Sequence, residues 1–175
     1  MRPDEKGSKT EVAVLRLLEK FNENYETWRE EFVPELFFPF SSARKRMSIV
    51  INSEGKRVML VKGASEMVLA SCDKFLSRKT GQERPIDGEL LGTMKTAIKT
   101  MADNALRTIV LAYKVINDKD DMVTKDHLGV FDVETKGLTC LAIFGIKDIL
   151  RAEVPGAVKQ CNLFDVFPFS LSLFV

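Results

Sequence analysis

Apolar positions along the chain change period several times, and each change marks an element. SKTE at 8 to 11 has the form of a capping box, with the Ser8 hydroxyl accepting from the Glu11 amide and the Glu11 carboxylate reaching back. Val12, Leu15 and Leu18 then repeat at helical spacing to about Phe21, and a second helical piece runs from Tyr25 to Phe32, ahead of Pro34. MSIVI (47–51), the turn NSEGK and RVMLV (57–61) predict a β-hairpin, with the residues before Phe40 as a third strand. Gly63 is expected to end the second strand, ASEMVLASC (64–72) a short helix, and the segment with Lys79, Gly81 and Pro85 a polar loop. From Asp87 to Asn104 the spacing of Leu90, Leu91, Met94, Ile98 and Met101 predicts an amphipathic helix. RTIVLAYKV (107–115) and LTCLAIFGI (138–146) read as buried strands, separated by a charged and exposed stretch from Asn117 to Lys136. This order of helices and tight hairpins implies an α+β domain with a largely antiparallel sheet flanked by helices.

Composition narrows the function. The 175 residues suffice for one domain with a real core, and 26 basic side chains nearly cancel 25 acidic ones, so any anion binding must be local. That balance, with one tryptophan and two tyrosines, disfavours nucleic acid as a partner. Cys72, Cys140 and Cys161 are odd in number and scattered, as in reduced thiols, and with His127 as the sole histidine a metal site is not expected. No apolar run is long enough to span a bilayer, so the polypeptide is expected to be soluble. The last residues, NLFDVFPFSLSLFV (162–175), form an apolar tail unlike the rest.

Neither a Gly-x-x-x-x-Gly-Lys loop nor a Gly-x-Gly-x-x-Gly turn occurs, so the common phosphate cradles are absent. The remaining candidates are dispersed: Thr10 and Glu11, Phe40 with Ser42 and Lys45, Lys62 with Gly63, and Arg107. Phe40 can offer a π-face to a base, Lys62 a point charge beside a glycine that lets a ligand approach the backbone, and Arg107 a fork for phosphate oxygens. Each has a plain structural alternative: core packing for Phe40, a solvated strand end for Lys62, capping alone for Glu11, and a wet turn for Arg44 to Arg46. From the residues alone, the chain is an α+β domain with candidates for anion binding.

The candidates occur in a familiar order. GSKTE (7–11), FPFSSARKRMSIV (38–50), VKGASEMVLASC (61–72), NALRTIVLAY (104–113) and GIKDILRAEVPGAVKQC (145–161) resemble the nucleotide-binding region of plasma-membrane-type P-type calcium ATPases. The resemblance implies that Phe40 stacks on adenine, Lys45 and Lys62 line the same pocket, Glu11 with Thr10 sits near the adenine amino group, and Arg107 reaches the phosphates. Arg44 and Arg46 are then expected to face water. Ser42 departs from the pattern, since some relatives carry a phosphate-contacting arginine there. ATP is the implied ligand, with Mg2+ accompanying it and Ca2+ as the ion transported by the parent pump; the implied partners are that pump's phosphorylation domain and membrane helices.

The expected division is a nucleotide-binding domain over 1–142, missing its first strands, a hinge and the beginning of an α/β phosphorylation domain over 143–161, and an aberrant tail over 162–175. Asp148 and Arg151 match hinge positions, with Ile149 in place of the usual proline. The DKTGT, TGDN and GDGxND motifs of the family's reaction do not occur, so no catalytic residue is expected in this chain. The departure after Cys161 reads as a truncated gene model, a read-through intron or a shifted frame. The domain is expected to be cytosolic and its parent to reside in a membrane. A rival reading is a non-catalytic soluble interaction module that docks a partner through the Arg44 to Arg46 turn and the apolar tail.

Overall fold

The computed structural model describes residues 8–147 and 153–163. Helices α1 (Lys9–Lys20) and α2 (Tyr25–Glu31) precede strand β1 (Pro34–Phe38). The hairpin follows as β2 (Arg46–Ser53) and β3 (Lys56–Ala64), then α3 (Ser65–Leu69), β4 (Cys72–Leu76), β5 (Glu83–Pro85), α4 (Gly88–Asp103) and β6 (Leu106–Val115). A 3-10 turn at Asp132–Glu134 leads into β7 (Leu138–Lys147), and α5 (Val154–Leu163) closes the described chain. The seven strands form one sheet in the order β1-β2-β3-β6-β7-β4-β5. Every neighbour pair is antiparallel except β4 with β7. The expected α+β class and antiparallel character hold.

Local chemistry accounts for the helix starts. Ser8 and Glu11 form the capping box, and Asp87 accepts from the Leu90 amide to start α4. In the hairpin turn, Glu54 and Gly55 both take positive φ, and the Asn52 side chain accepts from the Gly55 amide.

Period-two alternation then divides the sheet. Arg46, Ser48 and Val50 of β2, Met59, Val61 and Gly63 of β3, and Val110 and Ala112 of β6 point to one face and are buried. Val68 and Leu69 of α3 and Ile98 of α4 complete that core. Lys62, Ala64, Arg107 and Ile109 point to the other face, over which α1 lies. No residue of α1 is buried, and the apolar side chains it turns towards β7 are Ala13, Val14 and Leu17 rather than the stripe Val12, Leu15, Leu18.

Four expectations need correction. Gly63 does not end β3: it pairs with Arg46 on one side and Val110 on the other, and the strand runs to Ala64. The polar loop is in part a hairpin, in which β4 and β5 pair through Lys74, Phe75 and Leu76. The stretch from Asn117 to Lys136 is not wholly exposed, since Val130, Val133 and Glu134 are buried. Arg44 and Arg46 do not face water: they retain 5% and 3% of their exposure because both reach a fully buried glutamate. Asp148, Arg151 and residues 164–175 of the tail lie outside the described residues. Of the expected hinge segment, residues 143–147 are the end of β7, in register with β6.

Candidate nucleotide-binding site

A cavity of about 510 Å³ opens where β3 ends and β6 begins. The turn between β1 and β2 supplies Phe40 and Lys45, the end of β3 Lys62, Gly63 and Ala64, the start of β6 Arg107, Thr108 and Ile109, and the first turn of α1 Ser8, Thr10 and Glu11. Seven of the eight residues singled out from the sequence therefore meet around one space, although 97 positions separate Thr10 from Arg107. Ser42 is exposed and is not part of the lining.

Phe40 is 63% exposed, an apolar ring presented to the cavity instead of to the core. Lys62 Nζ donates to Glu11 Oε1 at 3.1 Å, and Arg107 Nη1 donates to Thr10 Oγ1 at 3.1 Å. These two contacts tie α1 to the strands and orient the cations across the opening. The Lys62 hydrogen bond and charge, followed by the Ser8 amide, hold the Glu11 carboxyl below its ordinary value, so it is ionised at neutral pH. Three cations and one carboxylate line the cavity, which gives it a local positive excess that the near-neutral chain as a whole lacks.

Gly63 is needed for a reason other than ligand approach. A Cβ there would lie 2.5 Å from the Lys45 carbonyl oxygen and 2.8 Å from Arg46 Cα, so the space is taken by the turn's own backbone. The Ala64 amide donates to that same Lys45 carbonyl at 2.9 Å, and Lys45 itself takes φ +51°. The turn is thereby seated on β3, with Lys45 on the cavity side.

Behind the sheet the neighbouring cations meet Glu134. Arg44 Nη2 donates to its two carboxylate oxygens at 2.6 and 2.8 Å, and Ser48 Oγ donates to the first of them. Arg46 Nη1 donates to the Glu134 carbonyl at 2.8 Å and its Nη2 to the Met67 carbonyl at 3.0 Å. Sequence reasoning missed Glu134 and misplaced both arginines. The signal that was present is alternation, which puts Arg46 on the side of Ser48 and Val50 once β2 is recognised. Ser8, Ala64, Thr108 and Ile109 also line the cavity, each adjacent or nearly so to a residue already chosen.

Comparison with known proteins fits this arrangement. A family model described as P-type ATPase, cytoplasmic domain N, matches residues 2–153. The chain belongs to that family. Its N-domain sequence is 39% identical over 166 residues to human plasma membrane calcium-transporting ATPase 1, covering 91% of this chain. It is 38% identical to human plasma membrane calcium-transporting ATPase 4 over the same length, and 37% identical over 159 residues to calcium-transporting ATPase PAT1 of Dictyostelium discoideum. The chain spans only 13% of the length of these relatives. The architecture is that of the N domain, and among the described residues no helix is long and apolar enough to cross a membrane.

Proposed function

We propose that this N domain binds ATP in the cavity between α1, the β1–β2 turn, the end of β3 and the start of β6. The observation that carries the reading is the exposed Phe40 ring facing a cation-lined cavity. Adenine would stack on Phe40, a contact worth about 1–3 kcal/mol where base-on-aromatic stacking has been measured. Lys45 and Lys62 would flank the nucleotide, Glu11 and Thr10 would lie towards the adenine amino group, and Arg107 would fork onto phosphate oxygens. Ser42 is kept as a peripheral contact of the extended phosphates. Stacking with a few point charges needs no glycine-rich loop, and such an open site suits a domain that holds ATP and then releases it.

Among the described residues no group of three or more His, Cys, Asp or Glu is placed to hold a metal ion. Magnesium would travel on the nucleotide's phosphates, as hard cations commonly do.

The parent would be a membrane calcium-transporting ATPase in which this domain sits in the cytosol. It would deliver the γ-phosphate to a phosphorylation domain, with calcium moved by membrane helices. Residues beyond β7, with Asp148 and Arg151, would form the hinge towards that phosphorylation domain, and α5 would be its first helix. Phosphoryl transfer is assigned to those other parts.

The test is a titration of the full 175-residue chain with ATP, followed by chemical-shift changes and repeated on Phe40→Ala. Saturable binding is expected, weakened about 5- to 150-fold by the substitution, the range that 1–3 kcal/mol represents. A folded chain that ignores ATP would refute the reading and leave the interaction module in its place.

A further inference from the structure

We propose that Glu134, on the opposite side of the sheet from the cavity, is the positioning residue that sets nucleotide affinity by holding the turn that carries Phe40 and Lys45. The inference rests on the nucleotide reading above.

The turn alternates. Lys45 goes to the cavity, while Arg44 and Arg46 on either side of it go behind the sheet, where Glu134 receives Arg44 on its carboxylate and Arg46 on its main-chain carbonyl. Arg44 fastens the turn at both its ends: its Nη1 donates to the Pro39 carbonyl at 2.7 Å, one residue before Phe40, and its Nη2 grips Glu134. The carboxylate also accepts from Ser48 of β2 and from the Phe131 amide at 3.1 Å, so its acceptor capacity is taken up from three directions. The Phe131 ring packs 4.3 Å from that of Phe38, and the Arg44 guanidinium lies 5.3 Å from its centroid. By contrast the Phe40 ring has no aromatic or cationic stacking partner among the described residues. Its position is therefore inherited from the backbone of the turn, which is held on β3 by the Ala64–Lys45 hydrogen bond and behind the sheet by Arg44.

Removing the negative charge would leave the buried Arg44 guanidinium with no carboxylate in contact and take from the buried Arg46 the nearby charge that favours its ionised form. The relief available to them is for the turn to swing towards water, which takes Phe40 and Lys45 out of the cavity. Affinity then falls by the fraction of molecules with the turn seated.

The experiment uses the full chain as wild type, Glu134→Gln, Phe40→Ala and the double variant. Each is titrated with ATP and with adenosine, with far-ultraviolet circular dichroism to report folding. A folded Glu134→Gln protein is expected to bind ATP about tenfold more weakly, as when the turn is seated one tenth of the time. Adenosine should weaken by the same factor, and Phe40→Ala should cost the same factor in both backgrounds, because a loss of seated molecules multiplies a loss of intrinsic affinity. Wild-type affinity in a folded Glu134→Gln chain, or a loss for ATP that adenosine does not share, would overturn the proposal. If Glu134→Gln does not fold, Ser48→Ala keeps the ion pair and removes one donor. It should weaken ATP about threefold, a fraction of the larger effect, and shift the Phe40 ring resonances. A folded Ser48→Ala protein with neither change would overturn the proposal as well. A wild-type chain that does not bind ATP defeats the nucleotide reading and this inference with it, an outcome distinct from a binding wild type and an unaltered variant.

Discussion

Gly63→Ala and Gly92→Ala add the same methyl group and should move stability in opposite directions. At Gly63 the new carbon would meet the Lys45 carbonyl oxygen at 2.5 Å and two Arg46 atoms at 2.8 Å. The carbonyl oxygen and Arg46 Cα are backbone, and β3 is paired along its length with β2 and β6, so neither side can yield cheaply. Overpacking of a well-filled site costs about 1–3 kcal/mol, and the rigidity of these neighbours puts Gly63→Ala near the upper end. For a domain of this size each kcal/mol lowers Tm by about 2–4 °C, so a fall of about 6–12 °C is expected. Gly92 lies exposed in α4 with nothing within 4 Å of the new carbon, and its replacement should raise stability by about 0.5–1 kcal/mol through helix propensity. Thermal unfolding followed by circular dichroism, with urea midpoints as a second measure, reads both. A Gly63→Ala protein that melts with the wild type would show that the turn is not seated on β3 as described.

Two further outcomes concern titration. Because Glu11 has a lowered folded-state pKa, its contribution is complete above the ordinary value of 4.5 and fades as pH falls through the lowered one. Its partial exposure keeps the effect small, so the readout is local: on acidification the protection of α1 amides, taken relative to their intrinsic exchange rates, should fall before that of the sheet, and a loss of protection in parallel with the sheet would refute the Lys62–Glu11 tether. Burial, and then the hydrogen bond to Glu83 at 2.6 Å, push the Tyr113 phenol up to about 12. The stabilisation from that proton is complete below the ordinary value of 10.0 and is lost as pH rises through about 12. Phenolate absorbance should show a step near 12 that disappears in Tyr113→Phe; a Tyr113 that ionises at its ordinary value would contradict the Glu83 contact.

The parts of the molecule that were legible in the sequence are those governed by local rules. Ser8 and Glu11 announce α1 because both halves of a capping box lie within one turn, and the β2–β3 hairpin follows from alternation around a glycine turn. The β4–β5 hairpin was illegible because CDKFL and ERP are short and polar, and β4 takes its place by pairing with β7, far along the chain. Phe40, Lys62 and Arg107 were brought to one pocket by the family resemblance alone; their own spacing could not do it, since only the sheet order makes β3 and β6 neighbours. The burial of Arg44 and Arg46 was hidden for the same reason. A cation next to a turn reads as solvated until a partner is found, and Glu134 lies 90 residues from Arg44.

That separation has a consequence for synthesis. A nascent chain that has emerged as far as β6 already contains every side chain that lines the cavity. Its two arginines behind the sheet still lack their counter-charge, which leaves the ribosome some twenty residues after β6 ends. Closing the 90-residue span from Arg44 to Glu134 costs entropy that is recovered only when the distant contact forms, so the site should be among the last parts to mature. Ligand stabilises only conformers that bind it. If the proposed site takes ATP, the nucleotide would then protect the finished domain while giving little shelter to its folding intermediates, and the burden of keeping those intermediates from aggregating would fall on chaperones.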